Sequence, residues 1–320
     1  MKNLFFIVGI FLSTIIFGET PKKLTPISFA TMWVPQAQFA GYYMAQEKGF
    51  YKELGLDVAL IHSTPEKLAP QMLSSEEVDI GILWLSEALE LNDAGLKFIN
   101  IGQIVQKSAT MLIGKKSQGI NNLSDINGKN VGIWSGSLSL QAREFVKKFG
   151  LQANFITQSY YIHSFLKDAV DITSAMWYNE YYMILNAGYD PDELTSFFFK
   201  DYDLNFPEDA LYVNKTYLEE NPESVRKFVL ASLKGWIYAF QNSDETIEVV
   251  LNKMKAEHLP ANEPHQKWML DRMYDIIIGD SYKSFGKLEQ SDFKRVQSIM
   301  LNNQLIKTEI DFNKFYQPQV

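Results

Sequence analysis

Apolar residues recur along the chain in two interleaved patterns. Ile27–Val34, Gly55–Ile61, Val78–Leu83 and Phe98–Gln106 are runs of strand length, and helical spacing fills the gaps from about Gly41 to Lys48, Leu68 to Ser74 and Ser86 to Ala94. Gly49 and Gly95 follow two of these helices, as helix ends favour. Alternation of this kind predicts a mostly parallel sheet with helices on both faces.

A second unit of the same kind begins near Met111. Asn130–Trp134, Ala153–Gln158 and Ile172–Met176 read as strands, and Leu138–Phe149, Tyr161–Ala169 and Tyr178–Ala187 as helices. Asn127-Gly128 marks a turn. Past Ala210 the pattern changes. Leu211-Tyr212-Val213 predicts a strand returning to the first unit, and Pro222 opens a long helix over Ser224–Asn242. Further helices are expected over 245–255, 265–278 and 290–302, with no internal repeat and no long linker. Two α/β units joined by two crossings, near Gln106–Thr110 and Asp209–Val213, predict a bilobed fold that closes by hinge motion on a ligand between the lobes.

Composition narrows the function. Of 320 residues, 46% are hydrophobic and 21% charged, which is globular. A net charge of −8, with no clustered basic stretch, argues against a nucleic-acid partner. Lys2, the apolar run Leu4–Phe17 and the small residue Gly18 form the pattern of a cleavable export signal over residues 1–18. That run falls short of the roughly 18 apolar residues of a spanning helix. The sequence contains no cysteine, which removes disulfides, thiolate metal sites, a cysteine nucleophile and a lipid-modified cysteine. The expectation is an exported periplasmic protein without a lipid anchor. The remaining division is 19–108 with 212–320 as lobe 1, and 109–211 as lobe 2.

The stretch Trp33–Val58, WVPQAQFAGYYMAQEKGFYKELGLDV, carries a specific resemblance. Together with Val78–Ile82, Leu123–Trp134 (LSDINGKNVGIW), Met176–Glu180 and Pro207–Ala210, it resembles the NMT1/THI5-like solute-binding proteins. The resemblance covers most of the chain up to about residue 240. It implies a periplasmic-binding-protein fold of type II-like form and a part in an ABC importer for a pyrimidine precursor of thiamine. The partners it implies are a small heterocyclic ligand and a permease in the inner membrane, with the protein itself monomeric.

Trp33, at the end of the first strand, either stacks on a flat heterocycle or bridges strand and helix in the core. Gln36 and Gln38 either present paired amides to a ligand or satisfy backbone groups of the turn. Trp84 and Ser86 occupy the equivalent end of the Val78 strand, and Gln106 sits near the first crossing. Ser135-Gly136-Ser137 leads into a helix, whose free N–H groups suit an oxyanion or a simple cap. Tyr178, Asn179 and Glu180 follow the strand Ile172–Met176, and Asp209 lies at the second crossing beside Glu208. Aromatic rings with amide and carboxylate groups match an aminopyrimidine, which presents N–H donors, ring-nitrogen acceptors and a flat face. An anion such as nitrate or a sulfonate would call for Arg or Lys. Arg143 lies in a helix, where a solvated face is expected.

No catalytic residue, metal site or cofactor is expected. His62, His163, His258 and His265 are scattered without metal-ligand spacing. Neither a Gly-x-Ser-x-Gly elbow nor a phosphate loop occurs. Two other functions are compatible with the resemblance. One is a ligand sensor of the same fold acting with a separate membrane signalling protein. The other is a pyrimidine synthase of the THI5 type. Those enzymes carry a cysteine-rich motif that this chain lacks, and the setting of His62 and Lys67 does not match their histidine and lysine.

Overall fold

The structure, a computed structural model, describes residues 23–64, 66–279 and 281–319. The expected export signal at 1–18 lies outside the described residues.

Among the described residues, ten strands form two five-stranded sheets. The first holds β1 (Thr25–Thr31), β2 (Leu56–His62), β3 (Ile80–Trp84) and β4 (Phe98–Gln103). The second holds β5 (Thr110–Lys115), β6 (Lys129–Ile133), β7 (Ala153–Thr157), β8 (Ile172–Met176) and β9 (Leu194–Phe198). β10 (Asp209–Asn214) returns to the first sheet. The orders are β2-β1-β3-β10-β4 and β7-β6-β8-β5-β9.

Each sheet is parallel except for one strand. β10 runs antiparallel to β3 and β4, and β5 runs antiparallel to β8 and β9. These are the two strands that the chain enters on arriving from the other sheet. A chain that arrives at the C-terminal edge of a sheet must run back down it, so each mostly parallel sheet carries one antiparallel strand.

Burial explains the strand sequences. β3, Ile80–Trp84, is buried throughout, as befits a strand covered on both faces. Edge strand β2 alternates, with Leu56 and Val58 inward and Asp57 and Ala59 outward. Three expectations shift. The helix foreseen at Tyr161–Ala169 is a single turn, His163–Leu166. β9 was not foreseen. The return crossing occupies residues 199–208, ahead of Asp209, which already stands in β10.

The C-terminal helices pack on the first sheet. The helix Pro222–Gln241 brings Val225, Phe228 and Trp236 into one core with Phe29 and Ile82. It crosses the helix Ala40–Glu47 at a pair of glycines. A Cβ on Gly235 would stand 2.1 Å from the Gly41 carbonyl oxygen, and one on Gly41 would stand 2.2 Å from the Trp236 ring. Overpacking of this kind costs about 1–3 kcal/mol. Gly235→Ala is therefore expected to lower the urea midpoint with an unchanged m-value, as read by circular dichroism.

Candidate functional site

A cavity of about 160 Å³ lies between the sheets, at the C-terminal ends of β1, β3, β6 and β8. In open α/β sheets, ligands bind in the crevice outside the carboxyl ends of strands. The first sheet contributes Met32, Trp33, Gln36, Gln38, Leu68, Pro70, Trp84 and Glu87; the second contributes Trp134, Ser137, Leu138, Tyr160, Met176, Tyr178, Asn179 and Glu180. Among the described residues, no Lys, Arg or His lines it.

Five aromatic side chains meet there. Trp33 follows β1, and its ring centroid lies 4.8 Å from that of Tyr160, which joins the two sides at the mouth. Trp84 ends β3 and Trp134 follows β6. Tyr178 is buried just past β8, and burial, reinforced by Glu208 and Asp209, raises its hydroxyl pKa well above the usual value. The Trp134 indole Nε1 has no hydrogen-bond partner.

Polar groups are held by a chain of side chains leading out of the cavity floor. Gln36 Nε2 donates to Gln38 Oε1 at 2.6 Å, and Gln38 Nε2 donates to Asp209 Oδ2 at 2.7 Å. Trp84 Nε1 donates to Asp209 Oδ1 at 2.9 Å, across a register pair of β3 and β10. Asp209 thus lies behind the lining and fixes two lining residues. The turn bearing these glutamines is braced from outside, because Gln266 Oε1 accepts from the Ala37 backbone N–H at 2.8 Å.

Glu208 acts at the crossings. Its Oε1 accepts from Ala109 N at 2.6 Å, Ser108 Oγ at 3.1 Å and Thr110 Oγ1 at 3.2 Å, so the return crossing is tied to the outward one. On the other wall, Glu180 opens the helix Glu180–Asn186. It accepts from Met176 N at 2.9 Å and Asn179 Nδ2 at 2.8 Å.

Burial pushes four carboxyl groups up. Glu180 rises to about 7 through burial, against the hydrogen bonds from Met176 and Asn179. Glu208 rises to about 8 through burial and the neighbouring Asp209. Asp209 rises to about 6 through burial, opposed by its bonds from Gln38 and Trp84. Glu87, in the first turn of the helix Leu85–Asp93, rises to about 7 through its packed surroundings, with Glu90 and Asp209 adding to the effect.

Of the residues singled out from sequence, Trp33, Gln36, Gln38, Trp84, Tyr178, Asn179 and Glu180 line the cavity. Asp209 supports it from behind. Ser86, Gln106, Ser135 and Gly136 are not in the lining. Ser86 is buried one residue before Glu87, turned by the helix away from it. Gln106 spends its amide on the crossing, donating to the carbonyls of Gln103 and Ile104. Ser135 and Gly136 are exposed, and Ser137 lines the wall instead. Arg143 bonds Ser139 Oγ at 3.2 Å and sits over the Phe155 ring, outside the lining. His62, at the end of β2, contacts Thr31 Oγ1 at 2.9 Å. Among the described residues no group of three His, Cys, Asp or Glu side chains is placed to hold a metal.

The fold is that of the periplasmic binding proteins. It matches the aliphatic sulphonate binding protein SsuA of Escherichia coli with a TM-score of 0.71 at 16% identity, over 93% of each chain. The chain belongs to the NMT1/THI5-like family, whose sequence profile matches residues 36–246. The formylaminopyrimidine-binding protein of Halalkalibacterium halodurans is 21% identical over 238 residues, covering 71% of this chain and 70% of that protein. The 4-amino-5-hydroxymethyl-2-methylpyrimidine phosphate synthase of Schizosaccharomyces pombe is 28% identical over 131 residues, 41% of this chain. That match spans only 38% of the synthase.

The raised carboxyls set a pH dependence. A group with a folded pKa above its unfolded value binds more protons when folded, so stability falls as pH rises between the two values. His62 is pushed down to about 4 by burial and Lys253, and burial lowers His265 as well, so their effects oppose this below about 6.5. Above 6.5 the carboxyls dominate. The unliganded protein is expected to lose melting temperature steadily from pH 6.5 to 8.5, with a shallower slope in Glu208→Gln. A flat profile in scanning calorimetry would contradict the burial argument.

Proposed function

We propose that the chain is the substrate-binding component of an ABC importer and carries a small aminopyrimidine of the thiamine-precursor type in the cleft between its lobes. The ligand is hydroxymethylpyrimidine-like or formylaminopyrimidine-like, and the protein performs no chemistry on it. The observation that carries this reading is the lining itself, with Trp33, Trp84, Trp134 and Tyr178 as flat walls, Glu180 and Asn179 at one edge, and no cationic side chain among the described residues. The exocyclic amine of the ligand donates to Glu180, and its ring lies against the indoles.

Size supports a single ring. A cavity of about 150 Å³ accommodates benzene, and the cleft offers about 160 Å³. Charge argues against the ligand named for the Escherichia coli neighbour, because a sulfonate would meet Glu87 and Glu180 without a counter-charge. The relatives are divided between binding protein and synthase. The binding role is favoured because, among the described residues, no histidine or lysine lines the cavity for proton transfer or covalent chemistry. Function in an importer entails an exported protein that presents its closed form to a membrane permease.

Thermal unfolding with pyrimidines, thiamine, taurine, nitrate and polyamines tests the reading. A ligand at 100 times its Kd stabilises by about 2.7 kcal/mol. An aminopyrimidine is expected to raise the midpoint, whereas taurine and nitrate leave it unchanged. Removing a charge-assisted hydrogen bond costs about 1.5–3 kcal/mol, so Glu180→Gln is expected to weaken binding about 10- to 100-fold. A shift with taurine or nitrate alone would overturn the assignment.

A further inference from the structure

Glu87 and Glu180 stand on different lobes and face one cavity. Glu87 is carried by the helix Leu85–Asp93, directly after β3 of the first sheet. Glu180 is carried by the helix Glu180–Asn186, just after β8 of the second. Sequence reasoning singled out Glu180 but not Glu87. Asp209 stands behind Trp84 and adds negative charge on the Glu87 side.

None of these carboxyls has a cationic partner among its contacts in the cavity wall. Bringing the lobes together moves Glu87 and Glu180 toward one another while displacing water from between them. Both changes disfavour two ionised carboxylates and hold the empty cleft open. A cation between them reverses the sign of both effects. A separate observation bears on the ligand. Trp134 is only 4% exposed, lines the same cavity, and its Nε1 donor has no partner. A buried donor of this kind calls for an acceptor. The two carboxylates together call for a flat ring with a delocalised positive charge across its N–H groups. A ring-protonated amino-heterocycle has that form.

Resting on the aminopyrimidine reading of the cleft, we propose that the site takes its ligand as a cation shared between Glu87 of one lobe and Glu180 of the other, and that this charge drives lobe closure. Glu87 is then a specificity-determining residue. Neutral rings of the same shape enter the cleft but do not close it.

A charge-matched pair of probes tests this. 4-Aminopyridine is protonated at neutral pH, and aniline has nearly the same shape without the charge. Titration calorimetry at pH 7.5 is expected to give 4-aminopyridine at least tenfold tighter binding than aniline. That ratio should collapse toward one in Glu87→Gln and in Glu180→Gln, with circular dichroism and melting temperature verifying that each variant is folded. Small-angle scattering should show a smaller radius of gyration with 4-aminopyridine and no change with aniline. Equal affinities for the two probes, or a ratio that survives both substitutions, would overturn the proposal. 4-Amino-2-methylpyrimidine serves as the anchor. If it binds and the probes show no charge preference, the cation proposal fails and the aminopyrimidine reading stands. If only 4-aminopyridine binds, the cation proposal stands and the aminopyrimidine reading fails. If none of the three binds, both fail.

Discussion

Two adjacent carboxyl groups, Glu208 and Asp209, are buried where the chain returns from the second sheet to the first, and no cation accompanies them. Burying a carboxyl is costly unless its oxygens are satisfied, so donors must be brought to them from several parts of the chain. Ser108, Ala109 and Thr110 of the outward crossing serve Glu208. Gln38 and Trp84 of the cavity serve Asp209. The two crossings are thereby fixed to one another, and two walls of the cleft are fixed to the crossings. Gln103 adds a further tie, donating from its amide to the carbonyls of Val105 and Glu208. The crossings and the cavity wall are therefore one hydrogen-bonded unit.

The architecture follows from the same crossings. Both sheets have three parallel strands, then the antiparallel strand supplied by the crossing chain, then an outer strand. This repeated order directs the C-terminal ends of β1, β3, β6 and β8 toward one cleft, and each end carries an aromatic or sulfur-bearing side chain into it, namely Trp33, Trp84, Trp134 and Met176. A second bridge holds the lobes beyond the cleft. Trp268 Nε1 donates to the Trp177 carbonyl at 3.0 Å, and Arg272 lies over the Trp177 ring at 4.7 Å.

Most elements were legible because apolar period and turn chemistry agree in them. β8 was expected with the bounds it has, and the long C-terminal helix starts at Pro222 as its first-turn proline suggests. β9 was hidden because Leu194–Phe198 runs straight into the turn Phe199–Tyr202, leaving no polar break between them. Site residues were legible where the argument rested on strand ends. Trp33, Trp84 and Tyr178 came from that rule, and Trp134 obeys it too. The serines after it offer the free N–H groups of a helix start, which in sequence resemble an anion site and mask the indole before them. Glu87 was missed in favour of Ser86 because a one-residue step on a helix turns a side chain by about 100°, and sequence alone does not say which position faces the cleft. Gln106 was placed near the cleft by its position at the crossing, but the crossing's own carbonyls take its amide.

A crystal structure of the protein with 4-amino-5-hydroxymethyl-2-methylpyrimidine tests the central claim most directly. The account predicts a closed cleft with the ring between the indoles and its amine within hydrogen-bond distance of the Glu180 carboxyl. Density at the exposed Ser135–Gly136 turn, or a ring in the cleft with its amine turned away from both Glu87 and Glu180, would contradict it.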